Sequence, residues 1–239
     1  MAPALFGFEH VSLDGPDGSR LRDVTGEVPD YCLTVLVGPS GAGKSTLLRL
    51  GNRLDVPSSG TVRFRGDDVG ALDPLALRRR VGMVFQRPSP FAGTVLDNLR
   101  VARPDLSEGA AIGLLERAGL DATFVRRAGD ELSGGEAQRL CLARTLATEP
   151  EVLLMDEPTA SLDHRSRTVL EVLARGLVDR GVPVVWVTHD FAQMRRIAQQ
   201  VLVMDRGRIV HAAPIGELDR SAPPAVARFL DDLAANEGD

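Results

Sequence analysis

The chain has 239 residues, 44% hydrophobic and 26% charged, enough for one large domain or two small ones with a full core. Its 33 acidic and 28 basic side chains leave a formal charge of −5, which excludes a global field attracting nucleic acid or anionic lipid. Cys32 and Cys141 lie far apart, which excludes a disulfide framework or a cysteine metal cluster and fits reduced, buried thiols.

In chain order, residues 4–13 and 21–37 read as strands, parted by the turn-rich stretch 14–19. The β-branched run that ends at Val37 enters Gly38-Pro39-Ser40-Gly41-Ala42-Gly43-Lys44-Ser45-Thr46, and a helix-forming run follows to Leu54. This is G-x-x-x-x-G-K-[ST], the phosphate-binding loop. Its glycines let successive backbone N–H groups turn inward as an anion nest, and the helix behind aims its positive end at the same phosphates. Lys44 is placed to reach the β- and γ-phosphates, and the Ser45 hydroxyl to ligate Mg²⁺. Nucleotide binding follows; what is done with the nucleotide does not.

Beyond the loop, residues 61–65 alternate as a half-exposed strand and turn at Gly66-Asp67-Asp68. A basic helix from Pro74 to Arg80 leads to the strand Val81–Phe85, which ends on Gln86. Prolines then hold Arg87-Pro88-Ser89-Pro90-Phe91 extended. From Thr94 to Thr148 the apolar spacing is helical, which reads as a helical insertion in an α/β core. Strands resume at 152–156 and 183–187, with helices over 164–180 and from Phe191. Two short strands flank Arg206-Gly207, and a last helix is expected from about Pro224. Strands alternating with helices around a phosphate loop imply a mostly parallel sheet covered on both faces.

Two further stretches carry chemistry. Val152-Leu153-Leu154-Met155-Asp156-Glu157 is a buried strand ending in two acids, the Walker B pattern. Asp156 would hold Mg²⁺ directly or through water, and Glu157 would polarise the attacking water. Leu132-Ser133-Gly134-Gly135-Glu136 precedes a helical run, so it reads either as a capping box or as a second anion site.

Taken together, these stretches resemble the ABC ATPases over nearly the whole chain. The resemblance implies a P-loop NTPase of the α/β class, with a mostly parallel sheet, a small antiparallel sheet and an inserted helical subdomain. It implies one ABC ATPase domain over 1–239, with 1–86 and 150–239 as the nucleotide-binding core and 87–149 as the helical signature subdomain. Ser133, Gly134 and Gly135 match the signature that serves the ATP of a partner subunit in a head-to-tail homodimer. Gln86 matches the Q-loop glutamine, a Mg²⁺-sensing and transport-subunit-facing residue; Asp163 matches the D-loop, and His189 the switch histidine that meets the γ-phosphate. The implied cofactors are ATP and Mg²⁺.

The implied activity is ATP hydrolysis coupled to transport of a solute. The stretch 86–91 is similar to phosphate-import ATPases, whereas the compact length resembles small iron or metal efflux ATPases. No signal peptide is evident, and no apolar run approaches the ~20 residues of a membrane helix, so a separate permease subunit would supply the span. The implied placement is peripheral, on the cytoplasmic face of the membrane, with an extracytoplasmic binding protein if the system imports, and no nucleic-acid partner. A non-transport ABC ATPase with a soluble partner and a small-molecule P-loop kinase are the alternatives; the kinase would have no use for Leu132–Glu136. One departure stands out: the position expected to carry an adenine-stacking aromatic falls at or near Gly15, unless Phe6 or Phe8 supplies the ring.

Overall fold

The computed structural model describes residues 4–15, 18–224 and 226–228. The chain forms two compact units, residues 1–78 with 183–239, and the intervening residues 79–182.

The first unit opens on a hairpin of β1 (Ala4–Gly15) and β2 (Gly18–Pro29), antiparallel with Phe6 opposite Val28 and Leu13 opposite Leu21. The stretch 21–37, read from sequence as one strand, is two. Pro29 ends β2 and Tyr31 turns the chain at φ 60 before β3 (Leu33–Val37) begins. All of β3 is buried, in keeping with a strand that is apolar except for Thr34. Helix α1 (Lys44–Leu50) follows the glycine-rich loop and stops at Gly51, short of the expected Leu54. Strand β4 (Ser59–Phe64) pairs with β1, and the two-residue turn Arg65-Gly66, both at positive φ, returns it as β5 (Asp67–Asp68). Asp67 and Asp68 therefore belong to a short strand rather than to the turn. The antiparallel sheet runs β2-β1-β4-β5, with Phe6 and Phe64 in ring contact at 5.3 Å in its core. Helix α2 (Pro74–Arg80) buries Leu77.

The second unit holds β6 (Val81–Val84) and four helices, α3 (Val95–Ala102), α4 (Glu108–Arg117), α5 (Gly134–Leu146) and α6 (His164–Asp179), with β7 (Val152–Asp156) between α5 and α6. β6 and β7 are parallel, Val81 facing Val152 and Val84 facing Met155. Every one of these helices but none of the strands is announced by a polar cap: Thr94, Ser107, Ser133 and Asp163 each accept an N–H of the first turn. The described residues between Thr94 and Thr148 carry helices and two short 3₁₀ turns, with no named strand. Gly82 lets α5 close on β6, since a Cβ there would meet the Thr145 methyl at 2.6 Å.

The chain then returns to the first unit with β8 (Val184–Val187), α7 (Phe191–Ile197), β9 (Gln200–Asp205) and β10 (Arg208–Pro214). β3 lies between β8 and β9, parallel to both, and β10 closes the edge antiparallel to β9. A short α8 (Leu218–Ser221) buries Leu218. Most of the helix expected from Pro224, and residues 16 and 17 of the expected turn, lie outside the described residues.

Candidate functional site

In the first unit, β3 delivers the chain into Gly38–Gly43, and α1 carries it away. Gly38 cannot carry a side chain, because a Cβ would strike the Met204 carbonyl of β9. Gly41 and Gly43 stand at φ 78 and 96, the left-handed region that glycine enters without cost. The loop is held in place by Ala42, whose N–H bonds the Pro39 carbonyl and whose carbonyl accepts from Gly207 N–H. Lys44 is only 6% exposed, and its Nζ donates to the carbonyls of Gly38 at 2.8 Å and Pro39 at 2.9 Å. Its charge is thereby kept inside the curve of the loop. Ser45 and Thr46 occupy the first turn of α1 behind it.

His189 emerges one strand away. β8 runs parallel to β3 with Val187 beside Leu36, so His189 and Gly38 leave the carboxyl ends of neighbouring strands. The exposed imidazole is anchored from behind: Thr188 N–H bonds the Leu36 carbonyl, and Asp190 caps α7 through Gln193 N–H. Trp186 is fully buried and donates to Gln193, which fixes the strand to the helix.

In the second unit, β6 and β7 present Gln86 and the acid pair at their carboxyl ends. Asp156 is 5% exposed. Glu157 stands at φ 44, a left-handed conformation that costs a non-glycine residue free energy and turns its carboxylate out of line with the strand. Gln86 Nε2 lies 3.5 Å from Glu157 Oε2, at the outer limit of a hydrogen bond.

The stretch 133–135 is a capping box and also an open polar rim. Ser133 accepts from Glu136 N–H, and the Glu136 carboxylate accepts from Ser133 N–H at 2.8 Å. That backbone bond, with the Ser133 hydroxyl and Arg127 and Arg139 nearby, holds the Glu136 carboxyl below its usual range. No atom lies within 4 Å of a Cβ built on Gly134, whereas one on Gly135 would meet Ser166 Oγ at 2.5 Å. Ser166 in turn donates to Asp163, N–H and hydroxyl both, which lowers the Asp163 pKa. The starts of α5 and α6 therefore pack closely on each other. Burial lowers the Arg139 pKa, and the charges of Glu136 and Asp163 oppose that shift.

The sequence-expected residues thus fall in two sets: Gly38, Pro39, Ser40, Gly41, Ala42, Gly43, Lys44, Ser45, Thr46 and His189 in one unit, and Gln86, Ser133, Gly134, Gly135, Asp156, Glu157 and Asp163 in the other. Phe6 and Phe8 are 2% and 4% exposed, so neither has a ring face free for a base. Sequence reading also missed three polar residues. Gln138 is fully buried and donates to the Phe85 carbonyl at 2.9 Å. Asn98, equally buried, bonds both the N–H and the carbonyl of Phe91, while Arg144 lies 4.3 Å from the Phe91 ring. For Gln138 and Asn98 the signal was an amide on an otherwise apolar helix face; Arg144 gave none.

Among the described residues no cluster of three His, Cys, Asp or Glu side chains gathers to hold a metal. The first unit offers a hydroxyl (Ser45), and the second an amide (Gln86) and a carboxylate (Asp156). Hard oxygen donors of this kind suit Mg²⁺, which takes few protein ligands and completes its shell with water and phosphate.

A family model described as ABC transporter matches residues 21–160. ABC transporter I family member 17 of Arabidopsis thaliana is 46% identical, over 90% of this chain and 84% of that protein. A phosphate import ATP-binding protein of Mycobacterium tuberculosis is 39% identical, over 100% of this chain and 92% of that one. Among solved structures, a dimeric ATP-binding cassette in a post-hydrolysis state, bound to ADP and Pi, aligns with a TM-score of 0.79 at 28% identity, over 88% of this chain and 98% of that one.

Proposed function

This chain belongs to the ABC transporter family as an ATP-binding, ATP-hydrolysing member, and from that premise we propose that it drives a solute through a separate membrane permease. The solute we favour is a phosphate-like anion, a reading supported by the stretch Gln86–Phe91 and by the printed name of the mycobacterial relative. The chain is one cassette, with 1–86 and 150–239 as nucleotide-binding core and 87–149 as signature subdomain. It works as a homodimer at the cytoplasmic face of the membrane, joined by an extracytoplasmic binding protein if the system imports.

The observation that carries this reading is the presence of two anion-ready elements in one chain. The loop 38–46 encloses a lysine, and the separate rim at Ser133-Gly134 is open. One chain needs only one phosphate loop, so the second element suits the ATP of a partner copy.

In this mechanism the loop amides and Lys44 grip the β- and γ-phosphates. Ser45 and Asp156, with Gln86, would hold Mg²⁺, which when bound withdraws charge from the phosphates. Glu157 accepts a proton from the attacking water, and Gln86 orients that carboxylate. His189 donates to the γ-phosphate as charge develops there. Ser133 and the N–H groups of Gly134 and Gly135 meet the γ-phosphate bound to the partner, so two copies close on ATP and part after hydrolysis.

Mixing variants tests this directly. Ser133→Arg should bind ATP as a monomer yet not dimerise, and Lys44→Ala should lose ATP. Their mixture should regain one composite site and measurable hydrolysis. No recovery on mixing, or loss of ATP affinity in the Ser133→Arg monomer, would remove action in trans. Copurification with a polytopic membrane protein tests the transport role.

A further inference from the structure

Arg20 is the extra residue of a β-bulge. In the β1–β2 hairpin Leu13 faces Leu21 and Asp14 faces Ser19, which leaves Arg20 unpaired in the ladder. Bulges re-aim a single residue and are over-represented beside functional sites. Two neighbours reveal how this one is aimed. Its backbone borders the phosphate loop: a Cβ on Gly43 would lie 2.9 Å from the Arg20 carbonyl oxygen, and one on Gly207 2.8 Å. Its side chain crosses to the opposite strand, where a Cβ on Gly15 would lie 2.6 Å from Nε and 3.2 Å from Cζ.

Gly15 is not at positive φ, so its backbone does not ask for glycine, and its bare Cα leaves room for the end of the Arg20 side chain to lie across it. Arg20 is exposed, and among the described residues no carboxylate holds it. A planar cation thus lies over a glycine, with one face toward solvent, on the strand that flanks the phosphate loop. Guanidinium planes are weakly hydrated and stack on π-systems.

We infer that Arg20, spread over Gly15, is the platform on which the base of the bound nucleotide rests. The inference rests on the reading that the phosphates occupy residues 38–46. A base is joined to those phosphates through one ribose, so it must settle beside the loop, and Arg20 borders the loop and leads away from it. A cationic platform attracts the face of any base. Contact with the ring face does not read the groups on the base's edge, so GTP binds about as well as ATP.

Calorimetry with MgATP, MgGTP and magnesium tripolyphosphate tests this, because tripolyphosphate keeps the phosphates and lacks the base. Arg20→Ala should weaken ATP and GTP by about 2- to 30-fold, the span of a cation–π contact, and leave tripolyphosphate unchanged. Gly15→Val should displace the guanidinium and do the same, and the double variant should be no worse than either single one. Arg20→Tyr should retain the preference for nucleotide over tripolyphosphate. Equal losses for all three ligands in Arg20→Ala would make the arginine a phosphate counter-charge, and no loss would make it a bystander; either overturns the inference. If wild type binds neither nucleotides nor tripolyphosphate, the phosphate-loop reading fails, and the platform with it.

Discussion

Gln138, on the helix that Ser133 caps, donates its amide N–H to the carbonyl of Phe85, the residue immediately before Gln86. Helix α5 and the residue before Gln86 are thereby joined by one partly buried bond, inside one unit. Gln138→Met keeps the length of the side chain and removes the donor, leaving the carbonyl unsatisfied at a cost of about 1–2 kcal/mol. Chemical denaturation should register that loss. Turnover should fall while phosphate-loop affinity for nucleotide holds, because Gln86 loses its support. Unchanged turnover would reduce the bond to a packing detail.

Glu157 sits in a left-handed conformation with Gln86 at its carboxylate. Glu157→Gln removes the proton acceptor and keeps the shape, so hydrolysis should drop by at least about 100-fold, the lower end for a general base. Nucleotide binding should survive, and ATP should accumulate a dimer on size-exclusion chromatography. Near wild-type turnover would assign the base elsewhere.

The starts of α5 and α6 meet where Gly135 faces Ser166. Gly135→Ala forces Ser166 aside and with it the cap that Asp163 supplies to α6, an overpacking cost of about 1–3 kcal/mol. Ser166→Gly on the same chain should return most of the stability by making room for the new methyl. If the second change gives no recovery, the clash is not the cause.

Glu136 has its pKa lowered, first by the Ser133 backbone N–H. A depressed carboxyl contributes stability that is present above its unfolded pKa and lost as pH falls through the folded one. Wild type should therefore melt above Glu136→Gln at neutral pH, and the gap should close below the ordinary glutamate range, near pH 4. A gap that persists into acid would mean that shape rather than charge holds the capping box.

The features readable from sequence were those enforced by short-range chemistry. The phosphate loop needs its glycines and lysine in a fixed order, and β7 needs an unbroken apolar run before its acids. The cap at Ser133 was visible for the same reason, since its side chain serves its own helix, whereas the cap that Asp163 gives α6 was not read from sequence. The break at Asp30–Cys32 was passed over although Pro29-Asp30 marks it, because the apolar residues on either side read together as one long run. Gln138 and Phe85 are 53 residues apart, and no local pattern announces such a bond. Gly15 read as a missing ring because a bulge that carries a neighbour's side chain across a strand leaves no periodic trace.

The placement of β3 also has a consequence for the newborn chain. This strand carries the phosphate loop, yet both partners that pair with it, β8 and β9, come from the far side of the inserted unit. At ordinary synthesis rates β3 leaves the ribosome roughly 10–30 s before β9 is complete. Throughout that interval its five residues, four of them apolar, have two unsatisfied hydrogen-bonding edges. A ribosome-bound chaperone shielding Leu33–Val37 would thus be guarding the strand on which the whole nucleotide site is later built.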